Sequence, residues 1–573
     1  MSDTTQENDH SNNSSSTFSE DTTQISTRSH SQEINTIKIV INDDNGHNHE
    51  KSEIKPPSPS AGENVDDQTT LLPFKQLLIV FMGLSLAIFL SSLDQTIVST
   101  ALPKIASDFH ALSDISWVGT AYLLTSTAFQ PLYGKFSDIF GRKSSFLFAI
   151  STFVVGSVLC GASVDMPMLI VSRAIAGIGG GGIMSLVMII ISDIVPLRER
   201  GKYQGIIGGT FTISSVVGPL IGGAFTDHIS WRWAFYINLP TAALTIIIII
   251  TMLHLPHVYG SLKEKIKRID FIGTIFLVAS IVIILLPLNW GGNTYSWDSP
   301  IVISLFCVGA VLVCVFIFIE FRIAIEPVIP QHLFKLRNPV LVYITSFFIG
   351  MAFYGFIYYL PLYFQAVRGY SATEAGLQLI PLVLGLVLFS TVSGFATTVT
   401  GSYRPWIIFG YGLTTVASGL LSTLNENSNR GEEIGYLLIA GAGLGCSMQT
   451  VLLAAQSSVE HKDIAVVTSL SSFFRTIGGV FGVAISGAIF NNKLSSYLID
   501  TLPSNIPLEL VKNSVEYIHT LPPDTQTSII HAYVHALSYV FFVAIPMAGV
   551  ATITSLFIKH IPLRKTLGPI IAE

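Results

Sequence analysis

The stretch Gly134-Lys-Phe-Ser-Asp138-Ile-Phe-Gly141-Arg142-Lys143 is a polar, glycine-containing segment between two long apolar runs, near 115–133 and 144–163. Its two glycines permit backbone angles that residues with a Cβ resist, and Pro131 just before it is expected to end the preceding helix. We therefore expect a tight loop between membrane helices, with Asp138 facing the N-terminus of the second helix. Taken alone, the segment is equally consistent with an ordinary basic turn on the cytosolic side.

The composition identifies the class of protein. Of the 573 residues, 50% are apolar and only 12% are charged, and the mean hydropathy is +0.58. A soluble domain carries about 25% charged residues, so we expect a polytopic membrane protein. All four cysteines lie in apolar runs, where they behave as small hydrophobes, and we predict no disulfide, no metal site and no cofactor.

Apolar runs of spanning length, about 20 residues each, recur fourteen times along the chain. They lie near 75–98, 115–133, 144–163, 167–191, 203–225, 233–253, 270–288, 300–320, 339–361, 375–399, 403–423, 434–455, 464–490 and 532–558. Eighteen Lys and Arg residues fall in loops on the side of the two termini, and six fall in the opposite loops. This asymmetry predicts that both termini are cytosolic.

The N-terminal region differs from the rest of the chain. Thirteen acidic and four basic residues precede residue 74, and the segment is rich in Ser, Thr, Asn and Asp, so we predict a disordered cytosolic acidic tail. Leu71-Leu72 after Asp67 fits a vacuolar sorting pattern, but we favour the start of the first helix. The predicted parts are the tail at 1–72, an N-terminal six-helix bundle at 73–255, an inserted helix pair with flanking cytosolic loops at 256–335, a C-terminal six-helix bundle at 336–560 and a cytosolic C-terminal tail at 561–573.

Glycine-rich patterns in the two bundles repeat at a fixed offset of 264 residues. Ala176-Gly177, Gly179, Gly181 and Met184 recur as Ala440-Gly441, Gly443, Gly445 and Met448, and Gly218, Gly223 and Ala224 recur as Gly482, Gly487 and Ala488. Helices 1 to 6 are therefore predicted to be duplicated as helices 9 to 14, with helices 7 and 8 inserted between them.

The spacing of Gly134, Asp138, Gly141 and Arg142 resembles the signature loop between helices 2 and 3 of the major facilitator superfamily, the largest group of secondary transporters. The resemblance implies an all-α membrane protein with the major facilitator fold, here with 14 transmembrane helices arranged as 6 + 2 inserted + 6. Such folds are built from parallel six-helix repeats that rock about a central site. The same four residues are then expected to take part in gating.

The first span contains Leu93-Asp94-Gln-Thr-Ile97-Val98-Ser-Thr-Ala101-Leu102-Pro103, which resembles a signature of the fourteen-helix drug:proton antiporters, of the kind found in fungi. Placing a carboxylate at the centre of a membrane-spanning helix costs about 2.5–3.5 kcal/mol of free energy, so a carboxylate there usually has a function. Because a low dielectric disfavours the charged form, Asp94 can load and release a proton. The alternative is that the helix ends near Leu93 and that Asp94 lies among the outer headgroups.

Arg173, about six residues into the fourth span, resembles the arginine motif of the same family. An intramembrane arginine needs a partner, and Asp94 is the only deep carboxylate in the N-terminal half. The resemblance implies that the two residues approach each other, so that protonation of Asp94 would release Arg173. The alternative is a structural arginine bonded to helix-end carbonyl groups.

The fifth span carries Gly218, Pro219, Gly222 and Gly223, a cluster similar to the motif associated with antiporters in this superfamily. Small residues let helices approach closely, and a proline bends a helix where a gating element can pivot, although plain helix packing is the alternative. The segment from Trp231 to Pro240 resembles the family's loop into helix 6, and its aromatic residues predict an interfacial anchor.

Five polar or aromatic residues are candidates for the substrate cavity: Gln130, Tyr354, Tyr358, Gln449 and Arg475. Aromatic faces suit flat hydrophobic or cationic ligands, while any of the glutamines is equally able to join helices. No acidic residue lies deep in helices 9 to 14. Two intramembrane arginines against one aspartate favour neutral or anionic substrates over dications.

The resemblance implies a proton-coupled antiporter that exports small organic molecules such as drugs, toxins or metabolites by alternating access. Its partners would be the small-molecule substrate, protons and the lipid bilayer, with no nucleic acid, and we expect a monomer in the plasma membrane. A vacuolar basic amino acid/proton antiporter and a siderophore-type uptake transporter are the alternatives. An enzyme is not expected, because the polar segments hold no nucleotide loop, metal spacing or nucleophile–base pair.

Overall fold

The computed structural model of the protein describes residues 73–110, 115–255, 258, 260–291, 295–324, 326–501, 511, 518 and 521–563. The predicted tail at 1–72 lies outside these residues, as does residue 564 onwards of the predicted C-terminal tail. The described residues form helices joined by short connections and contain no β-strand, only one isolated bridge between Gly291 and Tyr295.

The helices are α1 (Phe74–Asp108), α2 (Ile115–Phe140), α3 (Arg142–Gly161), α4 (Met166–Ile194), α5 (Arg200–His228), α6 (Trp233–Tyr236), α7 (Asn238–Met252), α8 (Leu262–Lys267), α9 (Phe271–Trp290), α10 (Pro300–Arg322), α11 (Arg337–Ala366), α12 (Ala372–Gln378), α13 (Ile380–Thr400), α14 (Arg404–Leu421), α15 (Arg430–Met448), α16 (Thr450–Gln456), α17 (Ile464–Thr501) and α18 (Pro523–Leu556). Sequence-encoded caps start several of them. At α4, for example, Asp165 accepts a hydrogen bond from the backbone N–H of Met168 at 2.8 Å.

Eleven helices within the described ranges are long and apolar enough to cross a membrane, which makes the chain a multi-pass membrane protein. α2, α5 and α14 have comparable lengths but fall outside that set, so the number fourteen stays a prediction. Among the eleven spans, α10 is the most exposed, since 17% of its apolar window is buried against 78% for α4. The pair α9–α10, which corresponds to the predicted insertion, therefore leaves most of its apolar surface free to contact lipid.

The polar segment that begins at Gly134 is not the loop that its composition predicts. α2 continues through Pro131 and Gly134 to Phe140, and α3 begins at Arg142, so Gly141 alone separates the two helices. Gly141 has φ +92°, a backbone conformation that favours glycine. Asp138 lies in the last turns of α2, where it pairs with Arg142, the first residue of α3. A membrane helix tolerates an internal proline because neighbouring groups satisfy the freed carbonyl.

The glycines of α4 that repeat at an offset of 264 residues make equivalent helix contacts in α15. A Cβ added at Gly181 in α4 would overlap the carbonyl oxygen of Ser126 in α2, and one added at Gly445 in α15 would overlap the carbonyl oxygen of Leu386 in α13. Both positions require glycine because two helix backbones touch there. The repeat in the sequence thus corresponds to a repeated pair of close-packed helices.

Candidate functional site

Asp94 and Arg173 form a buried ion pair inside the N-terminal bundle. Arg173 Nη1 lies 2.5 Å from Asp94 Oδ2, and the two residues are 1% and 0% exposed. Arg173 Nε also donates to the carbonyl oxygen of Val118 at 3.0 Å, and its guanidinium group lies 4.4 Å from the centre of the Tyr122 ring. α1 continues to Asp108, so Asp94 lies well inside the helix and not at its end.

A third residue, Asn238 at the start of α7, completes this cluster. Asn238 Nδ2 donates to Asp94 Oδ1 and to Ser157 Oγ, each at 2.9 Å, while its own Oδ1 has no hydrogen-bond partner in the part of the chain that is described. Both carboxylate oxygens of Asp94 are therefore satisfied, as a buried charge requires. The sequence analysis assigned Asn238 to an aromatic anchor and missed its contact with Asp94. The only indication of that contact in the sequence is that Asn238 is a polar residue at the start of an apolar span.

A second charged cluster surrounds Arg142 between α2, α3 and α4. Its Nε donates to Asp193 Oδ2 at 2.8 Å, and its Nη1 donates to Ser137 Oγ at 2.8 Å and to Asp138. Two carboxylates thus hold Arg142, and its side chain is 15% exposed. Asp193, which sequence reasoning did not single out, follows directly after the apolar run of α4.

The two bundles contact each other closely at the end that we call the loop end. It comprises the ends of α2–α5 and α13–α17 nearest Gly141 and Gly401. There Arg198 donates to two carbonyl oxygens at the end of α13, both at 2.5 Å. Arg200 is buried, and its Nη1 lies 3.3 Å from Gln456 Oε1. A Cβ added at Gly201 would lie 3.2 Å from the Cα of Gly394. Backbone contact and buried polar bonds thus close the loop end.

Gly134 belongs to this closure. A Cβ added to it would approach Ser469 Oγ in α17 far closer than 3.0 Å and would lie 3.2 Å from the carbonyl oxygen of Ala465. Gly134 is therefore required by helix contact between the bundles, while its own backbone is helical.

A central cavity of about 980 Å³, its open mouth included, lies between the bundles. α1, α2, α4 and α5 line it on one side, and α11, α13, α15 and α17 line it on the other. Its polar lining comprises Gln95, Ser126, Gln130, Tyr354, Ser390, Gln449, Ser472, Arg475 and Thr476. This mixture of polar and apolar surfaces is typical of sites for small organic molecules.

Four of the five predicted cavity residues line this space: Gln130, Tyr354, Gln449 and Arg475. Tyr358 does not, because it is 51% exposed and absent from the lining. It lies one helical turn beyond Tyr354, where α11 leaves the cavity wall. Asp94 is also absent from the lining, although its neighbour Gln95 is part of it, so the ion pair lies directly behind the cavity wall.

The glycines of α5 differ in their surroundings. A Cβ at Gly218 would overlap Thr96 Oγ1 in α1, so this glycine does allow close helix contact. Gly222 is buried, whereas a Cβ at Gly223 would meet no atom within 4 Å. α5 continues through Pro219, whose side chain lies outside the described residues.

A sequence model of the family described as Major Facilitator Superfamily matches residues 84–483. The chain belongs to this superfamily. Among its curated relatives, the MFS-type efflux pump MFS1 of Arthroderma benhamiae is 41% identical over 485 residues, which cover 84% of this chain and 90% of the relative. Citrate exporter 1 of Yarrowia lipolytica is 37% identical over 498 residues, which cover 86% of this chain and 74% of the relative.

Solved structures of major facilitators share the fold. The human organic anion transporter MFSD10 superposes with a TM-score of 0.54 at 14% identity, covering 82% of this chain and 99% of the other. The proton:xylose symporter XylE gives a TM-score of 0.53 at 15% identity, covering 84% and 95%. As a major facilitator, the chain is a transporter and not an enzyme, while the fourteen-helix drug antiporter subtype stays a prediction.

Proposed function

We propose that this major facilitator exports small organic molecules from the cytosol in exchange for protons, by alternating access. Several of its relatives are efflux pumps or exporters by name, which supports the direction of transport. The observation that carries the proton coupling is the buried pair of Asp94 and Arg173, placed directly behind the cavity wall at Gln95.

The pair links the two helices that would respond to a proton. Protonation of Asp94 removes the counter-charge of Arg173, and a buried arginine without a carboxylate is unfavourable, so the packing of α1 against α4 must change. Gly180 and Gly181, on the same helix as Arg173, line the cavity. A proton taken up at Asp94 would thereby alter the shape of the substrate site without contact between the proton and the substrate.

The closed loop end supports an assignment of the conformation. If the loop end faces the cytosol, as the asymmetry of Lys and Arg predicts, the cavity is closed to the cytosol in this structure. Gly134, which contacts α17 of the other bundle, would stabilise that closed state directly. Arg142 and its two carboxylates would hold α2, α3 and α4 in place beside that contact, and separation of the two bundles would open the cytosolic side. The residues of α5 around Gly218 would transmit the change along α1.

The proposed location is the plasma membrane, with both termini cytosolic and the chain acting as a monomer. A vacuolar exchanger of basic amino acids is the weaker alternative, because the described cavity lining contains Arg475 and no carboxylate to pair with a cationic side chain. A siderophore-type uptake transporter would use the same fold, and transport assays distinguish it by direction.

The test is transport in liposomes that contain the full-length protein. A pH gradient is imposed, and the movement of a cationic dye, an azole and 1-naphthoate is followed together with the proton flux. We expect gradient-driven movement of at least one probe in the wild type and its loss in Asp94→Asn, with exchange of labelled for unlabelled probe retained. Asp94→Glu, which keeps a carboxylate, should retain part of the gradient-driven movement.

Asp108→Asn is the matched control, since Asp108 lies on the same helix but is exposed and pairs with Lys104 at 3.4 Å. It should transport like the wild type. Gradient-driven movement that persists unchanged in Asp94→Asn would show that the coupling group lies elsewhere.

A further inference from the structure

Arg475 is the one charged side chain among the described residues that line the central cavity. We propose that the cavity binds amphipathic organic monoanions, whose carboxylate pairs with Arg475 while an aromatic or aliphatic body fills the rest of the space. This inference rests on the proposed function, because it names the class of substrate that the exporter would carry.

The charge of Arg475 is not compensated by the described protein. No carboxylate lies within salt-bridge distance of it in the described ranges, whereas Arg173 is neutralised by Asp94. The titratable groups that face Arg475 are Tyr354 and Tyr411, both neutral near pH 7. The cavity therefore carries one net positive charge.

The position of Arg475 suits a carboxylate. Arg475 lines both the main cavity and a small adjoining pocket towards α16, and Gln449 and Ser472 also line both spaces. A guanidinium group presents paired N–H donors that match the two oxygens of a carboxylate. An amide and a hydroxyl group supply further donors at the same place.

The remainder of the cavity suits an apolar body. Phe211 and Phe353 contribute aromatic surface from opposite bundles, and Met184 and Met188 add flexible thioether side chains between them. A site with one cationic point and wide apolar walls selects molecules that carry one anionic group and an apolar remainder.

The other classes of substrate fit this charge less well. A dication would bring like charge to Arg475 with no acidic residue in the described lining to offset it. A neutral substrate would strip water from Arg475 on closure without replacing it, which is unfavourable for a buried cation. A monoanion both restores the lost interactions and removes the net charge of the closed cavity.

Equilibrium binding to the full-length protein in detergent tests the inference, with three probes of nearly equal size: 1-naphthoate, 1-naphthamide and 1-naphthylmethylammonium. We expect the wild type to bind the carboxylate at least tenfold more tightly than the amide and to bind the ammonium compound most weakly. Arg475→Gln should bind the carboxylate and the amide equally, and Arg475→Lys should keep a reduced preference for the anion. Arg430→Gln, an exposed control, should behave like the wild type.

Two outcomes would overturn the inference. One is a wild type that binds the carboxylate no more tightly than the amide, or does not bind it; the other is an anion preference that survives in Arg475→Gln. Retained binding of the amide, together with an unchanged thermal midpoint, shows that the variant is folded. Binding is measured without a pH gradient, so the two proposals can fail separately. Selective binding of the carboxylate without gradient-driven transport would contradict only the proposed proton exchange. Proton-driven transport of the ammonium probe alone would contradict only the proposed anion site.

Discussion

Gly134 offers the sharpest test of how the loop end closes. In Gly134→Ala the new methyl group would overlap Ser469 Oγ across the bundle interface. The hydroxyl group can rotate away only by giving up its hydrogen bond to the carbonyl oxygen of Val466 at 2.9 Å. Even then, the methyl group would lie 3.2 Å from Ser469 Cβ and from the carbonyl oxygen of Ala465, which is tighter than an ordinary contact.

The expected cost follows from these contacts. A lost hydrogen bond contributes about 0.5–1.5 kcal/mol, and overpacking a close contact costs about 1–3 kcal/mol. We expect this cost to fall on the conformation that is closed at the loop end, because separation of the bundles would remove the contact. Small shifts of the neighbouring helices relieve part of the summed cost, so we take a bias of about 1–3 kcal/mol, which shifts the ratio of the two conformations about 5- to 150-fold towards the state that is open at the loop end.

Spin-label distances would measure the shift. Nitroxides attached at Ser144 and Lys462, both exposed near the loop end, report the separation of the bundles after the four native cysteines have been replaced. We expect a longer distance to gain population in Gly134→Ala. Ser469→Ala removes the clashing oxygen, so the double variant should return towards the wild-type distribution.

Gly119→Ala is the matched control, because Gly119 lies on the same helix and a Cβ there would meet no atom within 4 Å. The reasoning is refuted if Gly134→Ala leaves the distance distribution unchanged, or if Gly119→Ala changes it equally. Failure of Ser469→Ala to restore the distribution would show that the contact with Ser469 is not the cause.

Three further predictions concern packing, charge and energetics. In Gly445→Ala the new methyl group would overlap the carbonyl oxygen of Leu386, so this variant should be destabilised by about 1–3 kcal/mol. Gly435→Ala on the same helix should not be destabilised. Equal thermal midpoints for the two variants would contradict this prediction. Although partial burial opposes it, hydrogen bonds from Arg268 and Lys135 lower the pKa of Glu326 below its ordinary value of 4.5. Its ion pairs are therefore present at neutral pH and lost as the pH falls through that lowered pKa. At neutral pH the wild type should be more stable than Glu326→Gln by less than about 1 kcal/mol. The thermal midpoints of the two proteins should therefore differ at neutral pH and converge at acidic pH. If one proton enters for each monoanion exported, each cycle moves the equivalent of two positive charges inward, one with the proton and one by loss of the anion. A potassium diffusion potential of about 100 mV should therefore change the driving force for 1-naphthoate transport by about 4.6 kcal/mol. A transport rate that is insensitive to the potential would contradict that stoichiometry.

The resemblance to the drug:proton antiporters implied that Asp94 and Arg173 approach each other, and the small number of charges inside the spans favours the same pairing. An isolated charge inside a span is costly, and the N-terminal half offers one deep carboxylate and one deep arginine. Helix contact through the small residues of α5 was also predicted, and it is found at Gly218 but not at Gly223. Membership of the major facilitator superfamily followed from the same short motifs.

Other parts of the site depend on contacts that the sequence does not predict. Asn238 reaches Asp94 from a helix that begins 144 residues later, and Asp193 reaches Arg142 across 51 residues. The polar stretch at Gly134 looks like a loop because charge and glycine favour turns. It is instead helical, since Arg142 satisfies two carboxylates and the glycine serves a contact with α17.

The sequence by itself therefore determined that the chain spans a membrane many times and which charges lie inside the spans. The tertiary structure decided which side chains face the cavity, including Arg475 but not Tyr358. The physical reason is that a membrane helix is apolar on every side, so no amphipathic period shows which face meets lipid and which meets protein. Rotation of each helix is set only by its packing against the others.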